Sequence, residues 1–325
     1  MNTDPVKVSR VDLLAAFPLL RLIQAIPFGM GLQTLVPSAV VVAIGLWVQA
    51  EDSAYSVVPL IGLSQGSGVE SPFPVGLLHN LAMVLATEFD GLLFGQLCMM
   101  AIAVAFCTIA IARCIGVRIS RGQRFGVVRA IRQSVRCWRP ALIALAVTLF
   151  IWIMMVALFR SLWWLGGFVP GSTSPGSPSN LLQSLATMSY VFSLRVLLVM
   201  WLLGTAAIGV DGVSGTEGLS RGVSYVLSKF WYAVAIVVSV IVVLSQFQKL
   251  FVEMASLATR LRIPMSVHWT QHPPSLDVPF QSFVWQSLSL SVFISGLSIG
   301  YLLLRMSVDG IPLDELDDGR SGVGA

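Results

Sequence analysis

The chain has 325 residues, 56% of them hydrophobic and 11% charged, with a mean hydropathy of +0.83. Soluble domains carry roughly a quarter charged residues, so this chain has too little polar surface to cover a water-facing globule, and membrane integration follows. The net charge of +4 is small but unevenly spread; apolar spans flank its basic run directly, which argues against nucleic acid as a partner.

Residues 11–31 read "VDLLAAFPLLRLIQAIPFGMG", an apolar stretch interrupted by Pro18, Arg21 and Pro27. Residues 1–30 are expected to form a cytoplasmic, interfacial N-terminal helix, with a seventh span as the alternative. The transmembrane domain is expected over 31–305. About 20 apolar residues cross a ~30 Å hydrocarbon core as a helix, and six segments are long enough. They are Gly31 to Ala50, Gly91 to Gly116, Ala141 to Trp163, a stretch within Leu181 to Val210, Phe230 to Phe251, and Phe283 to Leu304. Several contain β-branched runs such as "AIVVSVIVVL". At this length in lipid, a helix is the single-segment structure that satisfies its own backbone. The fold class is therefore all-α, a polytopic helical bundle of about six spans plus interfacial amphipathic helices. "VQA" before Glu51 has the form of a signal-peptidase site, but some fifty residues precede it. A signal peptide has about 15–30, so an uncleaved anchor is expected.

After the second span, "VRISRGQRFGVVRAIRQSVRCWRP" (Val117 to Pro140) holds seven arginines, no lysine and no acid. On a continuous helix from Arg124 to Arg139, a step of 100° per residue puts Arg129, Arg132, Arg136 and Arg139 in one stripe. Val127, Val128, Ile131, Val135 and Trp138 form an apolar stripe beside it. Such a helix lies in the membrane interface, apolar side chains sunk and arginine stems reaching up to phosphates. Arg118, Arg121, Arg124, Arg129, Arg132, Arg136 and Arg139 are the candidate contacts to anionic phospholipid headgroups. Enforcing topology alone, or docking a partner, are the other readings of the same residues.

Orientation follows from lysine and arginine in short loops. With the N-terminus cytoplasmic, fifteen such residues fall inside and four outside: Arg160, Lys249, Arg260 and Arg262. Both termini are thus expected in the cytoplasm, the membrane being a bacterial inner membrane. Arg195, in "YVFSLRVLLVM", is the intramembrane charge. Such residues are functional candidates, but sliding the span toward Val210 brings Arg195 near the outer surface, where it can snorkel.

Beyond the fourth span, Ser214 and Glu217 match a capping box ahead of an apolar run, which predicts a helix over Gly215 to Ser228. Phe230, Trp231 and Tyr232 then mark the headgroup level. In the sixth span Ser287, Ser291, Ser295 and Ser298 share a face, with Gly296 and Gly300 next to it. Small residues so spaced let helices approach closely; lining of a polar path is the alternative. The tail over 306–325 carries Asp314, Glu315, Asp317 and Asp318 and is expected to be acidic and disordered.

Chemical motifs are sparse. G-x-S-x-G occurs at Gly62 to Gly66 and Gly296 to Gly300, but the first copy sits in a loop and the second in a helix, whereas a nucleophile elbow needs a strand, a turn and a helix. His268 and His272 lack the glutamate of H-E-x-x-H. The cysteines form no CxxC. No catalytic residue, metal site or cofactor is expected.

The inner stretch "LSRGVSYVLSKFWY" with the basic segment before it resembles a family of uncharacterised bacterial multi-pass membrane proteins. The matching positions are Glu217, Ser220, Arg221, Ser224, Tyr225, Val226, Trp231 and Tyr232. The resemblance covers the two inner loops and implies six spans and no assigned activity. The basic loop departs from it in being all arginine. The expected role is a non-enzymatic membrane accessory or scaffold protein, with a membrane-protein partner or self-association. A transporter or permease subunit is the alternative, and a membrane-embedded enzyme the second.

Overall fold

The computed structural model describes residues 18–51, 91–122, 126–167, 178–260 and 280–310. The paired histidines, the first G-x-S-x-G, most of each expected outer loop and the acidic tail lie outside these residues, as does Arg124.

A 3₁₀ turn over Pro18–Gln24 runs into the short helix α1 (Ala25–Gly29), and α2 (Leu32–Glu51) follows at an angle of 74°. Then come α3 (Gly91–Arg121), α4 (Val127–Arg136), α5 (Trp138–Gly167), α6 (Pro178–Asp211), α7 (Gly215–Ser228), α8 (Phe230–Arg260) and α9 (Phe280–Asp309). Among the described residues all regular structure is helical. Five helices are long and apolar enough to cross a membrane, and six if the bent pair counts as one span. The protein is a multi-pass membrane protein. Leu22 and Ala25, ahead of the bend, are buried, so this segment packs into the bundle.

The helix α9 is the hub. Its apolar residues are spread around its whole circumference, the pattern of a helix enclosed by others, and 94% of its apolar window is buried. The same figure for α5 is 17%, because α5 packs on its neighbours along one side only. Its Phe150, Ile153, Met154 and Leu158 face outward, as do Val234, Val238 and Val242 of α8. In water such surfaces would be a liability; against acyl chains they cost nothing. Gly296 and Gly300 admit Val240 and Ile236 of α8, whereas Ser291 faces the other way and donates to the carbonyl of Gly29. The two glycines and Ser291 therefore serve different neighbours.

The basic segment departs from expectation in one respect. The helix α4 stops at Arg136, the chain turns at Cys137, and Arg139 belongs to α5. Pro140 explains the break: it has no N–H to give the Arg136 carbonyl, and it is accommodated in the first turn of the next helix. The four-arginine stripe is thus three residues on α4 and one on α5.

Candidate functional site

Two places concentrate charge. The first is the arginine surface. Through Ala130 and Ser134, both buried, α4 docks on the bundle; Ala130 clusters with Ala110 and Cys114 of α3. This third, small-residue face was not legible as such in the sequence. Arg129, Arg132 and Arg136 are exposed, and so are Val128 at 80%, Val135 at 57% and Ile131 at 40%. The helix turns cationic and apolar side chains outward together. Trp138 is half-exposed, with the Arg139 guanidinium 5.3 Å from its ring centroid. Arg118 lies 4.4 Å from the Phe28 ring centroid, a cation–π contact that ties α3 to α1. Arg121 ends α3 and is exposed.

The second place is a buried charged cluster. Asp211 closes α6, and Gly212, with φ +70°, turns the chain into α7. Arg113 of α3 donates to the last carbonyl turn, Nη1 to Val210 O at 2.7 Å, placing a cation on the negative end of the helix. The Asp211 side chain is 4% exposed. Its Oδ2 accepts from Arg221 Nη1 at 2.9 Å and from the Tyr301 hydroxyl at 2.5 Å. Its Oδ1 lies 2.9 Å from Arg305 Nη1. That contact is coulombic rather than a directed hydrogen bond: among the described residues neither Oδ1 nor Arg305 Nε has a hydrogen-bond partner.

Arg221 also reaches Glu217 Oε1 at 2.8 Å, and the Tyr225 hydroxyl donates to Asp309 Oδ2. Burial, then the bond to Asp309, holds that hydroxyl well above the usual phenol range, so it remains a donor. The rings of Tyr225 and Tyr301 lie 5.7 Å apart. Glu217, Arg221 and Tyr225 repeat every four residues on α7, and Tyr301, Arg305 and Asp309 repeat every four on α9, so each set is a stripe on one helix face. Asp211 sits between them. Ser214 caps α7 by accepting from Glu217 N at 3.3 Å. The Glu217 carboxylate turns to Arg221, so half of the expected capping box forms.

No family model, curated protein or solved structure matches this chain. Every carboxylate in the buried cluster faces an arginine or a tyrosine, which makes it a set of ties between α6, α7 and α9.

The remaining candidates are dispersed. Arg195 is exposed on α6. It is sixteen residues from Asp211, about 24 Å at the helical rise, which puts it toward the end of a ~30 Å core opposite Asp211. Ser287, Ser291 and Ser295 are fully buried. Ser287 bonds its own helix at Phe283 O. Ser298, centre of the second G-x-S-x-G, is buried and bonds Ile294 O. The four cysteines are free thiols. Among the described residues no three of His, Cys, Asp and Glu converge.

Proposed function

We propose that the chain is a non-enzymatic accessory or scaffold protein of the bacterial inner membrane. Both termini face the cytoplasm, and the arginine helix rests on anionic phospholipid headgroups. The observation that carries this reading is the double exposure of α4. Val128, Ile131 and Val135 stand out beside Arg129, Arg132 and Arg136 while Ala130 and Ser134 hold the helix to the bundle. An apolar stripe turned outward is costly in water and favourable at an acyl boundary. The ion pairs of Asp211 and Glu217 further support it: they are made with Arg221 and Arg305, not with the α4 arginines. Guanidinium forks suit phosphate oxygens. An accessory role implies a membrane-protein partner or a second copy.

Lipid retention tests the reading. Each arginine at an anionic leaflet contributes roughly 1 kcal/mol. Replacing Arg129, Arg132 and Arg136 together by glutamine should weaken retention of phosphatidylglycerol, relative to phosphatidylcholine, by about 100-fold. Native mass spectrometry of protein released from mixed nanodiscs reads this ratio. Equal retention by the triple variant and the parent would refute the headgroup role.

The bend between α1 and α2 favours a second reading, a transporter or permease subunit. Discontinuous helices build binding sites in many membrane transporters.

A further inference from the structure

We propose that the acidic segment following α9, with Asp314, Glu315, Asp317 and Asp318, docks on the arginine face of α4 and competes there with anionic lipid. The inference rests on the headgroup reading of α4 and adds its regulation.

The charges on the two sides are complementary. Among the described residues, the side chains of Arg129, Arg132 and Arg136 are exposed and make no ion pair or hydrogen bond. The described carboxylates at the same end of the bundle are already engaged. Asp211 pairs with Arg221 and Arg305, Glu217 pairs with Arg221, and Asp309 accepts from the Tyr225 hydroxyl. The next acids along the chain are the four of "PLDELDDG" (Pro312 to Gly319), a stretch without a cation. It lies outside the described residues, so the argument for its docking site is one of charge and reach.

The segment starts from a fixed point. Asp309 is held by Tyr225, and Gly310, with φ +67°, ends α9 in the left-handed conformation common at helix C-termini. One helix separates this point from α4. The α4 helix docks on α3 through Ala130, Ala110 and Cys114, and α3 packs against α9. Two helix spacings of about 8–10 Å put the lateral gap at about 20 Å or less. Arg113 of α3 and Tyr301 of α9 both meet the end of α6, at Val210 and Asp211, which sets them at one level. Asp309 lies eight residues past Tyr301, about 12 Å along the axis. The combined gap is roughly 23 Å. An extended chain covers at most about 3.5 Å per residue, so Asp317 and Asp318 reach about 25–28 Å from Gly310. They arrive at α4.

An anionic leaflet attracts each cation at least as strongly as an exposed carboxylate does, and it presents more anions than the segment can. The segment therefore covers α4 on a neutral leaflet and yields on an anionic one. The position of the C-terminal segment reports the lipid charge beneath α4.

The test uses the full chain with cysteines at Gln133 and Gly319, the four native cysteines removed, loaded one copy per nanodisc. Crosslinking by a short bis-maleimide at low salt should be about fivefold faster in phosphatidylcholine than in phosphatidylglycerol. Raising NaCl to about 0.5 M should slow it in phosphatidylcholine, because exposed pairs are screened. In the chain with its native cysteines, Asp317→Asn with Asp318→Asn should raise the preference for phosphatidylglycerol over phosphatidylcholine by about 2–10-fold. That is the range for a competitor that covers its site between about half and nine-tenths of the time. The arginine triple variant reads the headgroup role separately, since its loss of phosphatidylglycerol does not depend on the acids. Equal crosslinking in the two lipids, or an unchanged lipid preference in the double variant, would overturn the proposal.

Discussion

Asp211→Ala should lower stability by about 3–5 kcal/mol, the cost of breaking a buried ion pair from one side. The loss comes less from the missing attraction than from what is left behind. Arg305, whose side chain is 9% exposed, would keep its charge and lose the carboxylate it is paired with. The Tyr301 hydroxyl would lose its acceptor in the same step. Arg221 would suffer less, being a third exposed and still bonded to Glu217. The double change Asp211→Leu with Arg305→Met should recover most of the loss, because a buried pair replaced by apolar groups is often neutral. Melts of the parent, the Asp211→Ala variant and the double variant read the loss and its recovery. If Asp211→Ala alone proves neutral, the cluster does not tie the helices.

Gly222→Val should detach α7 from α6. A Cβ at Gly222 would lie 2.7 Å from Met200 O and 2.8 Å from Gly204 N. These are backbone atoms, so no rotamer change relieves the clash. Gly218, one turn earlier, is similarly confined by Ile208 Cγ1 at 2.6 Å and Gly204 O at 2.9 Å. The two glycines straddle Gly204, giving the close crossing that small residues permit. Overpacking costs about 1–3 kcal/mol where neighbours can yield, and the upper end or beyond is expected here. Gly126→Ala is the control: nothing lies within 4 Å of its Cβ. The readout is the fraction of monodisperse protein in size-exclusion chromatography after heating, which should fall sharply for Gly222→Val and stay at the parent level for Gly126→Ala.

The long helices were legible because length and apolarity alone decide them in lipid, and α7 was legible because Ser214 announced its start. The charged cluster was not. Its members are scattered from Asp211 to Asp309, and nothing in the sequence says which helices become neighbours. A partial signal existed in the four-residue repeats of Glu217, Arg221 and Tyr225 and of Tyr301, Arg305 and Asp309. In the sequence Arg221 and Arg305 read equally well as inner-side cations that set topology. The glycines of α7, spaced like a packing motif, likewise had no partner until Gly204 was brought beside them. The end of α4 was readable from Pro140, but the regular arginine spacing outweighed it.

The membrane placement of α4 is the centre of the account, and depth measurement tests it most directly. A fluorophore on a cysteine at position 128 or 135, in a background lacking the four native cysteines, would be reconstituted in phosphatidylglycerol-containing vesicles. Quenchers fixed to the upper acyl chain would be compared with quenchers in water. At positions 128 and 135 the acyl-chain quencher should dominate. At a cysteine replacing Arg132 the aqueous quencher should gain, since that side chain stands at headgroup level. Dominant aqueous quenching at Val128 and Val135 would contradict the account, because α4 would then face the cytoplasm rather than the leaflet.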